Sequence, residues 1–110
     1  MDDQVQAFLD HLRLERSVSP HTAKAYHEDL TALRAFLGQA FGSSSPSPRD
    51  LTTSRLRAYL ASLHEQGLSK KTVARRLSSL RTYLKFLCRQ GVLKKNPAVG
   101  LRTPKQRSQL

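Results

Sequence analysis

Residues 69–91 read SKKTVARRLSSLRTYLKFLCRQG, and the spacing inside this stretch decides the fold. Advancing about 100° per residue, Val73, Leu77, Leu80, Leu84 and Leu87 fall within one narrow arc, the stripe that a helix buries. Ser69 stands where an N-cap hydroxyl accepts from a free backbone N–H, Leu68 precedes it at the staple position, and Gly91 supplies a stop. The opposite side carries Lys71, Arg75, Ser78, Thr82, Lys85 and Arg89, with Thr72 and Ser79 beside it and no carboxylate. Long cationic donors among short hydroxyls suit a DNA major groove: Arg and Lys donate to guanine O6 and N7, and hydroxyls reach bases or phosphates. Tyr83 and Phe86 interrupt the pattern, so the later half of this helix is expected to be covered on a second flank and base contacts to be confined to its early turns. Arg76 and Arg81 border the leucine stripe, where they either reach groove-edge phosphates or cover core edges with their methylene stems.

Three more helices precede this one, and no strand is legible. The first runs from about Asp3 to Arg16, capped by Asp2 or Asp3, with Val5, Phe8, Leu9 and Leu12 at buried-stripe spacing. Ser19 caps the second, Pro20 takes the first helical position, and the helix ends near Ala40, with Tyr26, Leu30, Leu33, Phe36 and Leu37 inward. Phe41 is placed where it could fold back onto that layer. The third starts after a Thr52 or Thr53 cap and runs to about Gln66, with Leu56, Leu60 and Leu63 inward and Gly67 as its stop. Between the second and third, residues 42–48 (GSSSPSP) have the composition of a mobile loop. Residues 92–110, with Pro97, Pro104 and several cations, read as a basic linker, so the folded domain is expected to span 1–91. One core is what 110 residues support.

The second and fourth helices echo each other. Ser19-x-x-Thr22 recurs as Ser69-x-x-Thr72, and the same offset relates Leu30 to Leu80, Phe36 to Phe86 and Leu37 to Leu87. Each copy delivers a Ser-capped first turn with lysines nearby: Lys24 in one, Lys70 and Lys71 in the other. Free N–H groups, the positive end of the helix dipole and these lysines favour a phosphate. His21, in the first turn of helix two, either touches a base or phosphate or is a silent surface histidine.

Charge points the same way. Residues 1–48 hold four Lys/Arg against six Asp/Glu, whereas residues 49–110 hold fifteen against two, so the net charge of +11 is a C-terminal property. After Glu65 twelve cations follow without one acid. Such a one-sided field attracts a polyanion by counterion release, and duplex DNA fits best. The acidic Met1-Asp2-Asp3 start is unlike an export signal, no apolar run is long enough to span a bilayer, and Cys88 stands alone, so a cytoplasmic chain without membrane association is expected. His11, His27 and His64 show no ligand spacing; neither a metal nor another cofactor is expected.

Taken in order, Ser19-Pro20-His21-Thr22-Ala23-Lys24-Ala25-Tyr26 with Asp29-Leu30, then Leu68-Ser69-x-x-Thr72-Val73, then Arg76-Leu77-Ser78-Ser79-Leu80-Arg81-x-Tyr83-x-x-Phe86-Leu87, then Asn96-Pro97-Ala98 and Pro104-Lys105, resemble the N-terminal core-binding domain of tyrosine recombinases of the phage-integrase family, in its XerC/XerD branch. The resemblance covers nearly the whole chain. It implies an all-α, four-to-five-helix SAM-like bundle that closes over a recombination half-site, with helices two and four in the major groove. It places His21, Lys24, Lys71, Arg75 and Ser79 nearest base edges and makes Thr22, Thr72, Arg76 and Arg81 backbone-positioning residues. It further implies a longer parent enzyme that breaks and rejoins DNA, acts with other recombinase subunits, and serves chromosome dimer resolution at cell division or mobile-element integration. The chain departs from the family pattern at His27-Glu28, where basic residues are usual. The nucleophilic tyrosine and its arginine and histidine partners belong to the following domain of such enzymes. Tyr26, Tyr59 and Tyr83 read as core residues, so this chain alone is expected to catalyse nothing and to be monomeric off DNA.

Two other classes share part of this pattern. A helix-turn-helix transcription regulator has the same short turn and groove-reading helix, but dimerises through its own surface. A helical protein-interaction module needs an exposed apolar groove, for which only Tyr83 and Phe86 are spare. RNA binding lacks the exposed aromatics that stack on unpaired bases.

Overall fold

The computed structural model describes residues 1–101, and every regular element among them is helical: α1 (Asp2–Leu14), α2 (Pro20–Phe41), a 3₁₀ turn (Pro48–Asp50), α3 (Thr53–Glu65) and α4 (Lys70–Arg89). The expected all-α bundle is what forms. Helix α1 differs at its start, where Met1 is the N-cap without a side-chain bond. Asp2 is instead in the first turn and pairs with Arg34 of α2 at 2.6 Å.

The core is a leucine cluster drawn from all four helices, with Leu12, Leu30, Leu33, Leu37, Leu56, Leu63, Leu80, Leu84 and Leu87 fully enclosed. Helix α4 supplies more buried residues than any other helix. Phe8 of α1 meets Tyr26 of α2 at 5.5 Å between ring centroids, and Tyr83 and Phe86 of α4 at 5.4 Å each, in edge-on or tilted arrangements. That aromatic knot is the second cover over the later half of α4. It widens the buried arc of α4 to about half the helix circumference, from Phe86 round to Leu77, where the leucine stripe alone occupies far less.

The α3–α4 connection is as short as Gly67 allows. Its φ of +73° lets the Gly67 N–H reach the His64 carbonyl at 3.0 Å and the Leu68 N–H reach Leu63 at 3.5 Å, closing the last turn of α3. Gly91 repeats the device after α4 at φ +77°, with bonds to Cys88 and from Val92 to Leu87.

Two segments expected to be loose are held. In 42–48, Pro46 and Pro48 are buried, the Met1 ammonium donates to the Pro46 carbonyl at 3.0 Å, and Ser47 and Asp50 exchange bonds in a capping box. Proline counted as a loop signal in the sequence, but its ring is also apolar surface, and here the bundle covers it. Residues 92–101 likewise lie against the domain rather than projecting as a linker. Ala98 and Leu101 join the core, the Thr53 hydroxyl donates to the Pro97 carbonyl at 2.7 Å, and Arg57 and Arg81 reach the carbonyls of Gly100 and Leu101 at 3.3 and 3.4 Å. The rest of the expected linker, 102–110, lies outside the described residues. No described helix is long and apolar enough to cross a membrane.

Candidate nucleic-acid interface

The two Ser-capped helix starts are near copies in space as well as in sequence. Ser19 and Ser69 have φ/ψ of −66/158° and −63/155°, and each hydroxyl accepts from the backbone N–H three residues on, at 3.1 Å in both cases. Each serine hydroxyl also donates to the threonine hydroxyl of its box, at 3.1 Å for Thr22 and 3.0 Å for Thr72. Thr22 and Thr72 therefore brace the caps. His21 and Lys71 stand exposed on these first turns, and Lys24 stands exposed at the start of the second turn of α2.

Further along, α2 and α4 are clasped by a group that the cationic reading of α4 did not contain. Asp29 of α2 is 3% exposed, and its carboxylate accepts from Arg75 Nη2 at 2.7 Å, from Arg75 Nε at 3.3 Å and from the Ser79 hydroxyl at 2.6 Å. A buried carboxylate needs such partners, because an unpaired charge in low dielectric is heavily penalised. The hydrogen bond to Asp29, and then its charge, push the Arg75 guanidinium further up in pKa. Half of the Arg75 side chain remains exposed, at 51%.

This corrects the expected role of Ser79. The residue is 5% exposed and its hydroxyl is spent on Asp29, so it does not face solvent beside Lys71. The reason is the wide buried arc of α4: Ser79 lies between Tyr83 and Phe86 on the helical projection, on the shoulder that α2 covers. Arg75 is corrected in part, being an oriented and charge-compensated guanidinium rather than a free cation. Arg81 is turned toward the Leu101 carbonyl, and Arg76 lies beside the buried Tyr59 hydroxyl of α3. Both arginines sit on core edges, the second of the two roles open to them. Burial, opposed by the neighbouring Arg76, raises the pKa of Tyr59.

His21, Thr22, Ala25 and Tyr26 of α2 and Arg75, Ser78 and Ser79 of α4 line one open cleft of about 370 Å³. Four of the nine expected contact residues, His21, Thr22, Arg75 and Ser79, thus come together, and Arg75 projects from the floor that Asp29 fixes. Lys24, Lys71, Thr72, Arg76 and Arg81 lie outside this lining. Asp29 was missed although a signal existed: it stands 50 residues before Ser79, at the same place in the internal echo, where one copy offers an acceptor and the other a donor.

The model of the phage integrase N-terminal SAM-like domain matches residues 5–91. The chain belongs to that family. Curated proteins named tyrosine recombinase XerC are similar to it. The one from Pseudomonas fluorescens strain Pf0-1 is 40% identical over 110 residues, which is 100% of this chain and 36% of that protein. The one from Chromobacterium violaceum is 42% identical over 106 residues, 96% of this chain and 33% of that protein. A third, from Xanthomonas campestris pv. campestris strain B100, is 41% identical over 106 residues, covering 96% and 32%. The SAM-like chain therefore spans about a third of the length of these relatives. No solved structure matches it.

Proposed function

We propose that this SAM-like domain binds duplex DNA as the core-binding part of a site-specific tyrosine recombinase, laying the start of α2 and the outer strip of α4 in the major groove of a half-site. The observation that carries the reading is the cleft in which His21 and the Arg75 guanidinium, aimed by a buried carboxylate, share one opening with Ser78. A fixed guanidinium fork suits bidentate recognition of guanine, since its direction is set before the DNA arrives. His21, Lys24 and Lys71 add contacts from the helix starts, and the bracing threonines keep the first-turn N–H groups aimed outward. Ser79 acts behind Arg75 rather than on DNA.

Several further assignments rest on the likeness to XerC. The parent protein breaks and rejoins DNA with a catalytic domain beyond this one, in company with other recombinase subunits, in the cytoplasm. Its role is chromosome dimer resolution, and this domain is monomeric off DNA. A helix-turn-helix regulator, by contrast, dimerises without DNA, so sedimentation of the free chain separates the two.

The test is a duplex titration at two salt concentrations. With about six phosphate contacts, log affinity is expected to fall with log salt at a slope near −5. Affinity indifferent to salt rejects the proposal.

A further inference from the structure

The outer strip of α4 does not end at the Arg75 cleft. Ser78, Thr82, Lys85 and Arg89 continue it at alternating spacings of four, three and four residues, which keeps them on one face. Beyond Ser78 the strip enters a second open cleft, of about 620 Å³, whose walls are Thr82, Lys85, Cys88 and Arg89 of α4, Arg16 from the α1–α2 connection and Asn96 from the segment after α4. Three cations from two parts of the chain converge there. No Asp or Glu among the described residues pairs with Arg16, Lys85 or Arg89, whereas Arg13, Arg34, Arg55 and Arg75 all have carboxylate partners.

Lys85 and Arg89 stand one turn apart with like charge, an arrangement that destabilises a helix by a few tenths of a kcal/mol. Arg89 alone is accounted for by the negative end of the α4 dipole. Lys85 and Arg16 are not. The Asn96 side-chain Oδ1 accepts from the Ala98 N–H at 2.9 Å, which fixes the side chain and leaves its amide N–H₂ as a donor. Ser17, next to Arg16, holds a φ of +51°, a left-handed conformation uncommon outside glycine, and it sets the course of the chain just after Arg16. Arg16, Lys85, Arg89 and the Asn96 amide are the donors of the cleft, the Thr82 hydroxyl being spent on the Ser78 carbonyl at 3.0 Å, and no acid lines it.

We propose that this cleft binds a backbone phosphate of duplex DNA, on the strand that borders the groove opposite the Arg75 cleft. The inference rests on the DNA-binding reading above and adds a second contact, with Arg16, Lys85, Arg89 and Asn96 as the phosphate ligands. Along α4 the rise from Arg75 to Lys85 is about 15 Å and to Arg89 about 21 Å. The major groove is about 12 Å wide, so a helix reading bases at Arg75 carries Lys85 and Arg89 beyond the base edges to the far phosphate wall. A contact of that kind positions the domain and carries no sequence information.

The experiment uses this chain and a random-sequence DNA duplex, since a phosphate contact does not depend on the target site. The variant Arg16→Ala/Lys85→Ala/Arg89→Ala is expected to flatten the slope of log affinity against log salt by about 2 to 3, with equal weakening on unrelated duplexes. A folded variant that keeps the full slope overturns the phosphate cleft and leaves the Arg75 cleft standing. A wild-type chain with no salt-dependent binding overturns both. A second measurement needs no substitution: the guanidinium Nε resonances of Arg16 and Arg89 shift on adding the duplex. Shifts at Arg75 without shifts at Arg16 and Arg89 overturn the proposal, and so do equal shifts with inorganic phosphate at matched ionic strength, which mark a free-anion site instead.

Discussion

Asp29 sets what Arg75 can do. Removing Arg75 leaves a buried carboxylate with one hydroxyl donor, whereas removing Lys71 removes a solvated cation. Arg75→Ala is therefore expected to destabilise the domain by about 2 kcal/mol, less than for a fully buried pair because the guanidinium is half in water. Lys71→Ala stays within about 0.5 kcal/mol. Urea denaturation distinguishes them, and Asp29→Asn added to Arg75→Ala recovers most of the loss, because the residual carboxamide carries no charge. DNA affinity separates the functional part: Asp29→Asn keeps an acceptor for Ser79 but loosens the fork, so discrimination between sites falls more than stability does. Tyr83 poses the opposite case. Its ring is fully enclosed, its hydroxyl has no hydrogen-bond partner among the described residues, and burial raises its pKa. Tyr83→Phe removes a desolvated group and is expected to leave stability unchanged or raise it by about 1 kcal/mol, read as a shift in the urea midpoint without change in slope.

At the scale of elements, the twin caps make a paired prediction. Because Ser19 and Ser69 share conformation and bond lengths, Ser19→Ala and Ser69→Ala are each expected to lose about 1 kcal/mol, measured by thermal melting, and to do so nearly equally. A large inequality shows that one of the two helix starts is held by its packing rather than by its cap. These same elements were the most legible part of the chain. The four helices, the serine caps and the glycine stops after α3 and α4 are local features, fixed by residues within one turn of each other. Less legible was which side of each helix is covered, because that depends on neighbours far away in sequence. The leucine stripe of α4 identified one covered side. The aromatic knot at Phe8 and the α2 shoulder at Asp29 supply the other, and only the second exposes the true place of Ser79. For the same reason the wheel gave Lys71 and Arg75 equal standing, although one is free in solvent and the other is tied to a carboxylate that lies 46 residues away.

For the molecule as a whole, the unexpected feature is that the fold does not stop where α4 does. The family match ends at residue 91, yet Ala98 and Leu101 are 7% and 5% exposed and complete the core beside α3 and α4. Three hydrogen bonds, from Thr53, Arg57 and Arg81, fasten the carbonyls of 97, 100 and 101. Residues 97–101 are therefore held against the bundle rather than forming a free arm attached at Gly91. If so, Leu101 is a core residue in energetic terms, and Leu101→Ala is expected to lose about 2 kcal/mol, the lower end for a buried leucine because the segment lies at the rim and can partly collapse. Ending the chain after Gly91 strips the same surface and lowers the melting temperature below that of the full chain. Were residues 92–101 only a tether, both changes would leave the melting temperature where it is, and the denaturant slope, which tracks the surface exposed on unfolding, would not fall on truncation. A fall in both quantities marks the segment as the last piece of the core. Arg81 then has a role beyond its own helix: its bond to the Leu101 carbonyl ties α4 to the last described residue of the core.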